Sequence, residues 1–175
     1  MKLNYEKLRE EFKNNQMMLD NIENLEEFEV FHYLLVGNEK TQKDICGKYN
    51  IKNKELKTWL KYCDGGLLFD TVLLSMQAKD EEQDLEFDSY EEYNKDKKMY
   101  GLDDKYCIIG FRSYGDIICV NTDEDDKQVY LLNIETGEFD DIWCTFTDWI
   151  TEEIDTAIQL IAENTLEPIQ SKIEE

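Results

Sequence analysis

The sequence predicts an α+β domain: a mostly antiparallel β-sheet meander packed with helices, carrying an N-terminal helical extension. Three observations predict it. Helical periodicity dominates the first third of the chain, closely spaced apolar strands fill residues 106–144, and a single amphipathic helix pattern follows them. The strand connections are too short for the crossovers that a parallel sheet needs. With 175 residues, 41% of them hydrophobic, the chain is long and apolar enough to bury a substantial core.

From Tyr5 to Leu19, the residues Leu8, Phe12 and Leu19 fall on one side of a helix. Leu25 to Val36 repeats that spacing with Phe28, Phe31, Leu34 and Leu35, and Gly37 stands where a C-cap belongs. Thr41 and Asp44 have the spacing of a capping box and open a short helix. Glu55 to Tyr62 places Leu56, Trp59 and Leu60 on one stripe. After Gly65-Gly66, "LLFDTVLLSMQ" is apolar on both faces, the pattern of a buried strand.

Ser89 and Glu92 again have capping-box spacing, which predicts a surface helix from Ser89 to Met99 ended by Gly101. Strands are expected at Tyr106 to Phe111, Asp116 to Val120, Gln128 to Ile134 and Ile142 to Cys144. Thr145 opens the last helix with Asp148 three residues on, and Phe146, Trp149, Ile150, Ile154, Ala157, Ile158 and Ile161 form its apolar stripe. These elements divide the chain into an extension over 1–40, an α+β domain over 41–165 and a tail over 166–175.

Composition narrows the function. The formal charge is −22, from 41 acidic against 19 basic residues. Such a surface repels nucleic-acid phosphates and anionic lipid, and it speeds encounter with a basic protein. The N-terminus "MKLNYEKLREEF" has no apolar core of a signal sequence, and no stretch approaches the length of a membrane span, so a cytoplasmic location is expected. Five cysteines without a C-x-x-C pair imply neither a zinc site nor a disulfide framework. The best basic window, Glu39 to Lys61, carries seven lysines against three acids in a helix-turn-helix-like arrangement; DNA binding through 41–61 is the weakest of three functional readings.

No catalytic pattern stands up. In "IGFRSYGDIICVN" the best-placed carboxylate, Asp116, follows a glycine in a four-residue hairpin loop, where an Asp accepts hydrogen bonds from the turn's own backbone. "NTDEDD" at Asn121 to Asp126 offers oxygen ligands at the first, third and fifth places of a calcium loop. The pattern then fails, with Asp126 at the glycine position and Leu132 where the bidentate Glu belongs. His32 is the one histidine, and no nucleophile motif stands beside it. The reading is a protein without enzymatic activity, cofactor or bound metal. Its exposed acidic stretches, Asp123, Glu124, Asp125 and Asp126 in one turn and Asp80, Glu81, Glu82 and Asp84 in another, are the candidate partner-binding residues.

Four features in order carry a resemblance. A helix leads into a turn at Asp64-Gly65-Gly66 within "LKTWLKYCDGGLLF", and a strand enters a hairpin at Gly115-Asp116 within "IIGFRSYGD". "QVYLLNIETGE" follows with Val129-Tyr130, and "CTFTDWI" then presents Phe146 and Trp149. From about Tyr49 to Leu160 the chain resembles the SUKH superfamily, the domain shared by fungal cell-wall regulators of the Smi/Knr type and many bacterial immunity proteins. The leucine-proline that often opens the helix before the Gly-Gly pair is here Ile51 and Lys52-Asn53.

The resemblance implies an α+β fold without an active site, with Asp64, Gly65, Gly66, Gly115, Asp116, Tyr130, Phe146 and Trp149 in structural roles. It also implies a protein partner. For the bacterial members that partner is a cognate polymorphic toxin, often a basic nuclease domain, neutralised by direct binding; for the fungal relatives it is a regulatory or scaffolding partner.

Overall fold

The computed structural model describes residues 33–171 apart from 77, 78, 81–84, 87, 124 and 125; the side chains of 33–36, 79, 80, 85, 86, 158 and 160–171 are also outside the description. The helix expected over Tyr5 to Leu19 lies outside the described residues. In chain order the elements are β1 Tyr33–Val36, α1 Glu39–Lys48, α2 Lys54–Trp59, β2 Cys63–Leu68 and β3 Thr71–Leu73. A small ribbon, β4 Lys79–Asp80 and β5 Leu85–Glu86, precedes α3 Tyr90–Lys95 and the 3₁₀ turn Lys97–Tyr100. Then come β6 Tyr106–Arg112, β7 Ile117–Asn121, β8 Val129–Leu132, β9 Phe139–Trp143 and the long α4 Phe146–Ser171.

Seven strands form one sheet in the order β1-β2-β3-β6-β7-β8-β9, and every neighbouring pair is antiparallel. The meander expected from the short connections is therefore present, and the α+β class holds. β7 and β8 are buried at nearly every position, because side chains cover both faces of the sheet there. Phe146, Trp149, Ile150, Ile154 and Ala157 of α4 are buried on the predicted stripe, and the Phe146 ring meets Trp59 of α2 at 6.1 Å between centroids. Asp148 N–H donates to Thr145 Oγ1 at 3.1 Å, so the predicted helix start is present. The side chains of Ile158 and Ile161 lie outside the described residues.

Several local expectations are corrected. Residues 33–36 form a strand and not the end of a helix, with Tyr33 opposite Leu67 and Leu34 opposite Gly66. Four consecutive apolar residues fit either periodicity, and the open edge of β2 decides the outcome. Gly37 then follows a strand, and its N–H donates to the Tyr62 carbonyl at 3.1 Å. Asn38, not Thr41, caps α1, its Oδ1 accepting from Lys40 N and Thr41 N. The helix after Ser89 is α-helical only to Lys95; Ser89 Oγ accepts from Glu92 N as predicted, and Gly101 ends the 3₁₀ turn.

The largest correction concerns "LLFDTVLLSMQ". This is a hairpin, β2 turning at Phe69-Asp70 into β3, and not one strand. Gly65 and Gly66 lie inside β2 and not in a turn. A Cβ on Gly65, whose φ is +93°, would stand 2.9 Å from Ser75 Cβ, so the position needs both glycine's backbone freedom and its lack of bulk.

Candidate functional site

Antiparallel order sends three tight turns off one end of the sheet: β2–β3, β6–β7 and β8–β9. Asp116 sits at that end. Its Oδ1 accepts from Ile134 N at 3.2 Å, in the β8–β9 turn, and not from its own hairpin as the sequence suggested. The hairpin closes itself through Arg112 N to Asp116 O at 2.8 Å and Gly115 N to Arg112 O at 2.8 Å. The role of Asp116 is therefore structural, but it joins two turns. In the same way Ser113 N donates to Asp70 O at 2.6 Å, joining β6–β7 to β2–β3.

Beneath these turns lies a charged group that sequence reasoning missed. Arg112 places Nη1 2.8 Å and Nη2 2.7 Å from the two carboxylate oxygens of Glu153 on α4, a bidentate pair, and Nη1 also reaches Asp70 Oδ1 at 3.0 Å. Thr71 Oγ1 accepts from the guanidinium and lies 2.7 Å from Glu153 Oε2. Trp149 Nε1 donates to Glu153 Oε1 at 3.0 Å. The Arg112 and Glu153 side chains are only 13% and 6% exposed. Burial alone would lower the arginine's proton affinity; the charge and hydrogen bonds of Glu153, then the charge of Asp70, outweigh burial and raise it. One signal was available: Arg112 is one of two arginines in a chain that otherwise uses lysine. The network ties the sheet end to α4.

Asp64, quoted above for its place beside the glycine pair, is buried in β2 and accepts from Met76 N at 2.9 Å. Burial raises its carboxyl above the ordinary 3.8, against the lowering effect of the Met76 N–H and the Ser75 hydroxyl. The folded protein then holds this proton more tightly than the unfolded chain does. The group's contribution to stability is fully present below the unfolded value and is lost as pH rises through the raised one. Asp64→Asn keeps an acceptor for Met76 but does not titrate. Urea melts should show wild type losing stability relative to D64N as pH rises above the ordinary carboxylate value; a gap independent of pH would contradict burial as the cause.

The sequence-selected acids lie elsewhere. The Asp123 to Asp126 loop and the segment after β3 that contains Asp80 both leave the sheet at the end opposite the three turns. Asp123 is exposed, and its N–H donates to Asn121 Oδ1 at 3.0 Å. Asp126 is braced: Oδ2 accepts from the Tyr130 hydroxyl at 2.7 Å and Oδ1 from Gln128 N at 2.9 Å. Asp80 lies in β4; Glu81, Glu82, Asp84, Glu124 and Asp125 lie outside the described residues. Tyr130 is buried among Tyr106 and Phe139. Among the described residues, no three His, Cys, Asp or Glu side chains are grouped so as to hold a metal ion. Cys63, Cys107 and Cys119 are buried, and burial pushes the Cys119 thiol up to about 12, the opposite of what a nucleophile needs.

The apolar side of the basic window packs inward, while its lysines stay at the surface. Ile45 of α1 and Leu56 and Trp59 of α2 are buried, and Glu55 Oε2 accepts from Thr147 N at 2.8 Å at the start of α4. Lys48 pairs with Glu91 at 3.1 Å. Among the described residues, no helix is long and apolar enough to cross a membrane.

Comparison with curated proteins finds none that matches. Comparison with family models finds the SMI1 / KNR4 family (SUKH-1) over residues 53–152, from the Asn that caps α2 to the second turn of α4. That span takes in β2, β3 and the whole β6–β9 meander, together with the Gly65-Gly66 pair, Asp116, Tyr130 and Trp149. The chain belongs to the SMI1/KNR4 (SUKH-1) family.

Proposed function

We propose that this chain is a non-enzymatic, cytoplasmic binding protein of the immunity type, which neutralises a basic toxin domain, such as a nuclease, by direct binding. The observation that carries the reading is the division of labour among its charges. The best-placed carboxylates, Asp64, Asp70, Asp116 and Glu153, are engaged in architecture, yet they are a small part of the chain's 41 acidic residues, and the net charge of −22 over the whole chain leaves a large acidic excess for its surface. That excess suits long-range attraction to a basic partner and competition with the phosphates of a nucleic-acid substrate. Membership of the family supports a protein partner.

In this reading the acids of the 123–126 loop and the Asp80 to Asp84 segment steer encounter. Replacing Asp123, Glu124 and Asp125 by their amides, while keeping the structural Asp126, should slow association with the product of the adjacent gene by about tenfold at low salt. The same variant should flatten the salt dependence of the rate while still neutralising that product at saturation. An unchanged association rate at low salt would remove these loops from the steering surface.

A further inference from the structure

Phe69 stands at the tip of the β2–β3 turn with φ +55°, a left-handed conformation that suits glycine or asparagine, yet it is an aromatic residue and 42% exposed. An uncommon backbone state that presents a large, partly exposed side chain is the kind of outlier from which a functional hypothesis starts. Two neighbours share its exposure but not its backbone conformation. Tyr114, 63% exposed, caps the β6–β7 hairpin, and Ile134, 45% exposed, lies in the β8–β9 turn with its Cδ1 3.0 Å from where a Cβ on Gly115 would stand. Gly115 has φ +109°, so it supplies both the turn and the seat for Ile134.

These three turns are fixed to one another. Ser113 N to Asp70 O joins the first two and Ile134 N to Asp116 Oδ1 the last two, while Arg112 holds Asp70 from below. An apolar surface presented on pinned turns loses little conformational freedom on binding. Among the described residues its rim is acidic. Asp116, Glu135, Glu138, Asp140 and Asp141 lie in or beside the same turns, no lysine does, and the guanidinium of Arg112 is engaged by Glu153 and Asp70.

We infer that Phe69, Tyr114 and Ile134 form the anchor of a docking surface for a basic protein partner, with their acidic rim matching its charge. This inference rests on the binding function proposed above and places the energetic centre at the end of the sheet opposite the 123–126 loop. An exposed aromatic centre inside a charged rim has the anatomy of a protein–protein hot spot. Nucleic acid and anionic lipid are disfavoured by the same carboxylates. Self-association through this surface would bring two acidic rims together.

The test is calorimetric titration of the full chain with the product of the adjacent gene, comparing wild type with Phe69→Gly, Tyr114→Ala, Ile134→Ala and Asp123→Asn. Phe69→Gly and Tyr114→Ala should each raise Kd by about 30-fold, chiefly through faster dissociation. The Tm of Phe69→Gly should equal or exceed that of wild type, since glycine relieves the left-handed backbone. Asp123→Asn should change Kd by less than about threefold. Wild-type binding that all three patch variants retain would overturn this surface and leave the proposed function standing. No binding by wild type would overturn both. Concentration-dependent dimerisation of the free protein, abolished by the same substitutions, would assign the patch to a second copy and overturn the proposal.

Discussion

Arg112→Ala is expected to destabilise the protein by about 3 to 5 kcal/mol, a large share of the roughly 5 to 15 kcal/mol that holds a domain of this size together. Removing the guanidinium takes away the bidentate partner of Glu153, whose side chain is only 6% exposed, and leaves a carboxylate with Thr71 and the Trp149 N–H as its remaining partners. Water cannot readily replace what is lost at that depth, so the cost is that of a buried, uncompensated charge and not that of a surface ion pair. The same logic predicts rescue. In Arg112→Met combined with Glu153→Leu, no unpaired charge remains, and most of the loss should be recovered. Urea denaturation of the two single variants and the pair, closed as a double-mutant cycle, measures the coupling. A coupling near zero would mean that the network contributes geometry without stability.

Trp149→Ala should cost about as much, roughly 3 to 5 kcal/mol, through a different mechanism. Trp149 is fully buried, meets the Phe146 ring edge-on at 5.4 Å and donates Nε1 to Glu153. Truncation opens a cavity between α4 and the sheet and also removes one of the donors that hold Glu153. Trp149→Phe keeps much of the volume and loses the donor, so about 1 to 2 kcal/mol is expected. Because Trp149 and Arg112 both address Glu153, the two substitutions should not add. Thermal melts of the three variants would show the ranking; equal losses for Ala and Phe would place the whole effect in the hydrogen bond.

What the sequence revealed follows from the range of the forces involved. The β6–β9 meander was legible because apolar runs and turn residues act locally, and the α4 stripe because helical spacing reports its own buried face. The buried places of Phe146 and Trp149 were legible for the same reason, whereas the structural role expected of Tyr130 came from the family resemblance. β1 was not, since a four-residue apolar run carries no period of its own and its pairing with β2 is a tertiary event. The β2–β3 hairpin was hidden because Phe69 occupies a left-handed position where turn rules look for glycine or asparagine. Arg112 and Glu153 are 41 residues apart, and nothing in either neighbourhood announces the other. The candidate acids were chosen for exposure and charge; Asp123 is exposed, and Asp126 is half-buried and braced by Tyr130. Whether a charged stretch stands beside an apolar anchor depends on which turns the topology gathers at one end, and that needed the fold.

The central claim is that this SUKH-1 chain acts by binding a basic protein. It is tested most directly by titrating the purified protein with the product of its adjacent gene at about 50 and 200 mM salt, and assaying that product's activity in the same samples. The account predicts stoichiometric binding that abolishes the activity and weakens as salt rises. Activity that persists in the presence of saturating protein, or the absence of binding at the lower salt, would contradict it.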